Sequence, residues 1–244
     1  MEIGLKYYST NRKEKLRGIG FADFVEVLPV PGKFGELKKF KKFKCTVHAP
    51  HGVFGFNPAD KKNEKRSVEL MRETIKAADY LDAGIIVVHP GHFPEARCFL
   101  KAARQAQLDF FSKINDDRVV LENLMIEDNE GFKYVGGNNA EDMRRLLKKT
   151  GFGFCLDFSH AAANAVRTGR DYKKIINEFL VLKPDYFHVA DNLLDGKDQH
   201  LHLGDGKLDV EFIRKAVKKL RKPVCLETPL DIKGRKKDAS FLRG

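Results

Sequence analysis

Short apolar runs recur along the chain, separated by segments in which apolar residues return every three or four positions. The runs at Ile3–Tyr8, Phe24–Leu28, 44–47, 85–88, 119–121, 152–156, Tyr186–Val189 and Val224–Leu226 read as strands. Pro29 and Pro31 stop the second of them. Between the strands, residues 67–81 carry Val68, Met71, Ile75 and Ala78 at helical spacing. Segments 93–114, Ala140–Thr150, 172–182 and Val210–Leu220 also read as helices, and Gly151 closes the one before it. A short helix is expected over 12–18, ending at Gly18. Residues 34–43 suggest a lysine-rich helix with Phe34, Leu37, Phe40 and Phe43 inward, and 51–62 a loop.

Strands that alternate with helices form a parallel sheet. Eight such units, with strands apolar on both faces, predict a closed (β/α)8 TIM barrel rather than an open doubly wound sheet. The 244 residues suit one such domain, expected over 1–244, with a basic polar tail or loose cap at about 231–244. No glycine-rich dinucleotide fingerprint follows the first strand, and no P-loop pattern occurs, so nucleotide readings have no support. No apolar run approaches the ~18 residues a membrane span needs. Residues 1–6 lack a signal-peptide pattern, so a cytoplasmic monomer without membrane contact is expected. Cys45, Cys98, Cys155 and Cys225 form no C-x-x-C pair, and neither a disulfide framework nor a cysteine metal site is expected. The net charge of +11, concentrated in 33–44 and 233–243, attracts polyanions such as nucleic acid or a phosphorylated substrate. It is equally the mark of a lysine-rich solvated surface.

The informative chemistry lies at the strand exits. From the third strand on, each apolar run ends on a ligand-type side chain: His48, His89, Glu122, Asp157 with His160, His188, and Glu227. The loop after the seventh strand adds Asp198 and His200. In a barrel these exits converge on one mouth. Five histidines and four carboxylates there are not explained by packing. The carboxylates alone would repel one another and raise their pKa values, a cost that divalent ions remove. Mixed imidazole and carboxylate donors suit Zn2+, Mn2+ or similar ions. His51, His92 and His202 read as loop histidines facing either substrate or solvent.

These stretches resemble the xylose-isomerase-like barrels, and within them the endonuclease IV family of apurinic/apyrimidinic-site DNA repair enzymes. The matching segments are Val47-His48-Ala49-Pro50, Val88-His89-Pro90-Gly91, Leu121-Glu122-Asn123, Cys155-Leu156-Asp157-Phe158-Ser159-His160, Phe187-His188-Val189-Ala190-Asp191, Asp198-Gln199-His200 and Leu226-Glu227-Thr228-Pro229. The resemblance implies a site for up to three Zn2+ ions. His48, His89 and Glu122 would hold the first. Glu122 would bridge to a second, held also by Asp157, His188 and Glu227, and His160, Asp198 and His200 would hold the third. It further implies hydrolysis of DNA 5′ to abasic sites by a metal-activated hydroxide, with Glu122 and Glu227 central to catalysis. The chain departs from the family in its first strand, at His51 (where a tyrosine is common), and at Gly204-Asp205-Gly206, which looks more like the sugar isomerases and epimerases of the same superfamily. The alternative function is therefore a sugar or sugar-phosphate isomerase or epimerase. It would use one divalent ion on Glu122, Asp157, His188 and Glu227, with the two glutamates shuttling a proton.

Overall fold

A computed structural model describes residues 1–93, 100–129 and 131–244. The strands β1 (Ile3–Tyr8), β2 (Phe24–Leu28), β3 (Cys45–His48), β4 (Ile86–Val88), β5 (Val119–Glu122), β6 (Gly153–Asp157), β7 (Tyr186–Val189) and β8 (Val224–Leu226) run parallel in chain order. Pairing of β8 with β1 closes the barrel. Among the described residues the α-helices are α1 (Glu64–Leu81), α2 (Leu100–Phe111), α3 (Ala140–Thr150), α4 (Phe158–Arg167), α5 (Tyr172–Leu180), α6 (Val210–Leu220) and α7 (Ile232–Arg243). The expected start of the helix over 93–114 lies partly outside the described residues, as does Cys98. Cys45, Cys155 and Cys225 are buried free thiols.

Four elements differ from the periodicity reading. The two expected helices before β3 are 3-10 turns, at Lys13–Leu16 and Phe34–Phe40. Phe34, Leu37 and Phe40 are spaced by three, the spacing that eclipses side chains in a 3-10 helix. Leu37 and Phe40 are buried, whereas Phe34 is exposed and packs beside Tyr80. Helix α4 does not stand out as a separate element in the sequence, because it starts directly where β6 ends: the Asp157 side chain caps it by accepting from His160 N at 2.7 Å. Residues 232–243 form α7, not a loose tail. Its polar composition hides a packed face on which Arg235, Asp238, Ala239 and Leu242 are buried.

Successive strand residues face opposite sides, so residues two apart share the barrel interior. The lower interior layer is Phe24, Val87, Val120, Cys155, Tyr186 and Cys225, packed as one cluster. Thr46 joins it through a 3.0 Å hydrogen bond to the Tyr186 hydroxyl. β1 contributes Gly4, where a Cβ would run into the Phe24 ring. Two residues further along each strand stand Lys6, Glu26, His48, His89, Glu122, Asp157, His188 and Glu227. Every member of this upper layer is ionisable. Intervening residues such as Val25, Val47, Val88, Leu121, Leu156 and Phe187 face outward into the core shared with the helices.

Candidate metal centre

The upper layer sits at the C-terminal ends of the strands, the face on which barrel sites are built. Glu122, fully buried, lies at its middle. Its Oε2 is 3.1 Å from His48 Nε2 and 3.1 Å from His89 Nε2. Its Oε1 is 3.0 Å from His188 Nδ1 and 3.4 Å from His160 Nδ1. His188 Nδ1 also meets Glu227 Oε1 at 2.8 Å. Glu227 Oε2 lies 3.4 Å from His200 Nδ1, and Asp198 Oδ2 lies 3.1 Å from His200 Nε2 and 3.7 Å from His160 Nε2. Asp157 Oδ1 stands 3.8 Å from His160 Nδ1. All nine residues singled out in the sequence thus join one continuous network.

Two further members are absent from the sequence-derived set. Lys6 Nζ lies 2.6 Å from Glu227 Oε1 and 3.7 Å from Glu26 Oε1, and Glu26 Oε2 receives His188 Nε2 at 2.9 Å. Lys6 and Glu26 are partners in the β1–β2 register. A signal for them exists: each stands two residues after an interior position, as the other site residues do. Both, however, lie inside their strands and before the third strand, where the ligand-type exits begin. His51, expected as a loop residue, is also in the mouth, stacked on His89 with ring centroids 4.8 Å apart.

Among the described residues, donor groups close enough to share an ion occur in three sets: His48, His51 and His89; Glu26, His48, His188 and Glu227; and Glu122, Asp157, His188 and Glu227. Within each set the ligand atoms lie within 4.8 Å of one another. The expected general rise in carboxylate pKa is confined to Asp157. Burial, opposed by His160 and reinforced by Glu122 and Glu227, pushes it up to about 6. Glu122 and Glu227 are held well below the usual range, because His188 and other cations outweigh burial. Conversely, against the pull of burial, Cys155 and the carboxylates of Glu227, Glu26 and Glu122 hold His188 well above its ordinary value. Asp198 and Glu227 push His200 up to about 9, again against burial. The raised values favour protons on His188 and His200, which offset the carboxylates and which a metal ion binding there would displace. Burial keeps His89 down at about 4, and burial with the neighbouring His89 and His48 keeps His51 well below the usual value.

Surrounding groups fix this layer in place. The Asn123 amide donates to Asp157 O at 2.9 Å and accepts from Asp157 N at 2.7 Å, locking the end of β6 to β5. Buried Arg235 reaches from α7 to the carbonyls of Thr228, Pro229 and Lys6, at 2.7 to 3.2 Å, and so anchors the strand ends that carry Glu227 and Lys6. Asp191 is structural: its carboxylate accepts from the backbone N–H groups of Gly204, Gly206 and Leu208. Any side chain at Gly206 would strike that carboxylate, which accounts for this part of the glycine motif. Of the other loop histidines, His92 packs on Phe132, and His202 pairs with Asp238. Above the layer opens a cavity of about 330 Å3, walled by Tyr8, Val53, Met125, Phe132 and Tyr134.

A closed parallel barrel with an ionisable mouth defines the class. The chain matches the family model described as xylose isomerase-like TIM barrel over residues 24–244. It belongs to the endonuclease IV family within that superfamily. It is 30% identical over 225 residues to "Probable endonuclease 4" of Mycobacterium bovis, covering 88% of this chain and 84% of that protein. The fold is similar to a D-tagatose 3-epimerase-like protein (TM-score 0.80, 21% identity, 100% of this chain and 96% of that one). It is also similar to endonuclease IV from Thermus thermophilus (TM-score 0.68, 16% identity, 100% of this chain and 98% of that one). Among the described residues no helix is long and apolar enough to cross a membrane.

Proposed function

We propose that the chain is a metal-dependent phosphodiesterase that cleaves DNA 5′ to abasic sites. The observation that carries this reading is the extent of the network. A single-metal isomerase needs only Glu122, Asp157, His188 and Glu227. Here His48, His89, His160, Asp198 and His200 are joined to that set within 4 Å contacts. The donors fit divalent ions: imidazole and carboxylate alternate, and Glu122 presents one oxygen to His48 and His89 and the other to His188 and His160, as a bridging carboxylate must. Bound ions would supply an activated water at neutral pH and offset charge on the phosphoryl group.

Charge supports the same reading. Glu26, Glu122, Asp157, Asp198 and Glu227 share the mouth with the ammonium of Lys6. Two divalent ions would neutralise what Lys6 leaves over, and a third would give the site the positive charge that a phosphodiester anion needs. Asp198 and the half-exposed His200 stand at the rim, where substrate arrives first. The cavity admits one extruded sugar-phosphate unit and not a stacked duplex, so the abasic nucleotide must leave the helix.

Lys6 favours a second reading, a sugar or sugar-phosphate isomerase or epimerase. Its ammonium, bordering the cavity beside Glu227, is placed to polarise a carbonyl oxygen while Glu122 and Glu227 move a proton. Purified protein loaded with Zn2+ or Mn2+ separates the two. Nicking of an abasic duplex that a chelator abolishes is the expected result. No nicking by fully loaded protein, together with turnover of ketose or aldose substrates, would give the site to the isomerase.

A further inference from the structure

In the mouth, a third imidazole, His51, which the ligand set expected from the sequence leaves out, joins two of that set's histidines. His48, His51 and His89 pack pairwise, with ring centroids 4.9 Å apart for His48–His51, 4.8 Å for His51–His89 and 5.0 Å for His48–His89. We propose that His51 is a metal ligand in this chain, completing with His48, His89 and Glu122 a four-donor site for a zinc-type ion. The inference rests on the metal-dependent reading above, and adds to it a ligand at the position where the family commonly has tyrosine.

Three observations support it. First, His48 Nδ1 is tied to the Ala49 carbonyl at 2.7 Å. Nδ1 is the donor in that bond, so Nε2 is the nitrogen that faces the centre as the ligand atom. Second, His48 Nε2 and His89 Nε2 converge on the same oxygen, Glu122 Oε2, each at 3.1 Å. Third, His51 Nε2 is buried without a hydrogen-bond partner. A buried polar atom left unsatisfied costs stability, which a metal bond would restore. The ligand nitrogens of the three rings lie within 4.8 Å of one another. Donors on a tetrahedral zinc stand roughly 3.4 Å apart, so side-chain shifts on the order of an ångström close the shell.

The donor chemistry then divides the mouth in two. Three imidazoles and one carboxylate suit zinc, whereas Glu122, Asp157 and Glu227 with one imidazole, His188, suit a harder ion such as Mn2+. Four protein donors also fill a tetrahedral shell, while catalytic zinc sites keep a position open. The His51 ion is therefore a holding site, and substrate falls to the side of the cavity lined by His160, Asp198, His200 and Glu227.

The test titrates metal-stripped full-length chain with Zn2+ against a chromophoric chelator, and with Co2+ followed by its visible spectrum. Wild type, His51→Phe and the more conservative His51→Gln are compared, with circular dichroism of each metal-free protein as the folding control. The expected result is that both variants lose one tightly bound ion, by a factor of about 100 or more, since even outer partners of metal ligands are worth 10–100-fold. The intense absorption of four-coordinate cobalt should fall in parallel. Unchanged affinity and an unchanged cobalt spectrum in a folded variant would overturn the assignment of His51 alone. Wild type that binds neither ion would overturn the metal-dependent reading with it.

Discussion

The two interior layers of the barrel are carried by the same strands two residues apart, yet they are opposites. The lower layer is apolar apart from Thr46 and the Tyr186 hydroxyl, which satisfy each other. In the upper layer Glu26, His48, Glu122 and His188 are equally inaccessible while Lys6 and His89 border the cavity, and every member is ionisable. Alternation along a strand decides only which residues face inward. The step along the barrel axis decides whether they become core or site. Burying so many charges costs stability unless they are paired, and the network of imidazole, ammonium and carboxylate contacts offsets that cost.

Substitutions in the two layers should therefore have opposite signatures. In the upper layer, Glu122→Gln removes the carboxylate that both halves of the network share. Abasic-site nicking should drop by about ten-thousandfold, or ~5 kcal/mol of barrier, while the melting curve keeps its cooperative shape. A variant that retains near-normal turnover would remove Glu122 from the machinery, and the same comparison applies to Glu227→Gln.

In the lower layer, Phe24→Ala should cost roughly 3–5 kcal/mol in denaturant unfolding, as large-to-small core changes do. The remaining folded, metal-loaded enzyme should turn over within about tenfold of normal. A large loss of turnover at unchanged stability would mean that the two layers are not separable as drawn.

Between these extremes lies Arg235, whose guanidinium holds three backbone carbonyls beside the site, one of them that of Lys6. Arg235→Leu leaves those acceptors unpartnered and should cost about 2–4 kcal/mol, with some loss of activity through the displaced Glu227. Full stability in the variant would show that water replaces the guanidinium without penalty.

The smallest effect concerns His202, which lies away from the nine-residue network. Against burial, hydrogen bonds and charges from Asp238 and Asp231 raise its pKa. Its proton therefore favours the folded state. That stabilisation is fully present below the ordinary histidine value of about 6.5 and disappears as pH rises through the elevated folded value. His202→Gln should remove an increment of under about 1 kcal/mol at pH 5.5 and next to nothing at pH 9, solvent screening keeping it small. An equal effect at both pH values would place the origin in packing.

The barrel is legible in the sequence because strands buried on both faces and helices of amphipathic spacing are strong signals. Six of the nine, His48, His89, Glu122, Asp157, His188 and Glu227, are legible because they stand at the ends of apolar runs, and His160, Asp198 and His200 because they are ligand-type residues in the segments that follow β6 and β7. Lys6 and Glu26 obey the same rule but sit inside their runs, followed by Tyr7-Tyr8 and Val27-Leu28, so the break does not register as an exit. His51 reads as a loop residue because its place in the mouth depends on the turn after Pro50, which no periodicity reveals. Helix α7 escapes because Arg235 and Asp238 are buried through specific polar partners, which hydropathy cannot distinguish from solvation.

On the proposed reading, the upper layer together with His160, Asp198 and His200 is a multinuclear metal site. The ratio of metal to protein tests it most directly, measured by elemental analysis after zinc-loaded chain is passed through gel filtration. A site built on all nine residues predicts about three ions per chain, falling by one in Asp198→Asn with His200→Gln. A ratio of one, unchanged in that double variant, would contradict it and leave only the Glu122, Asp157, His188 and Glu227 set with a metal to hold.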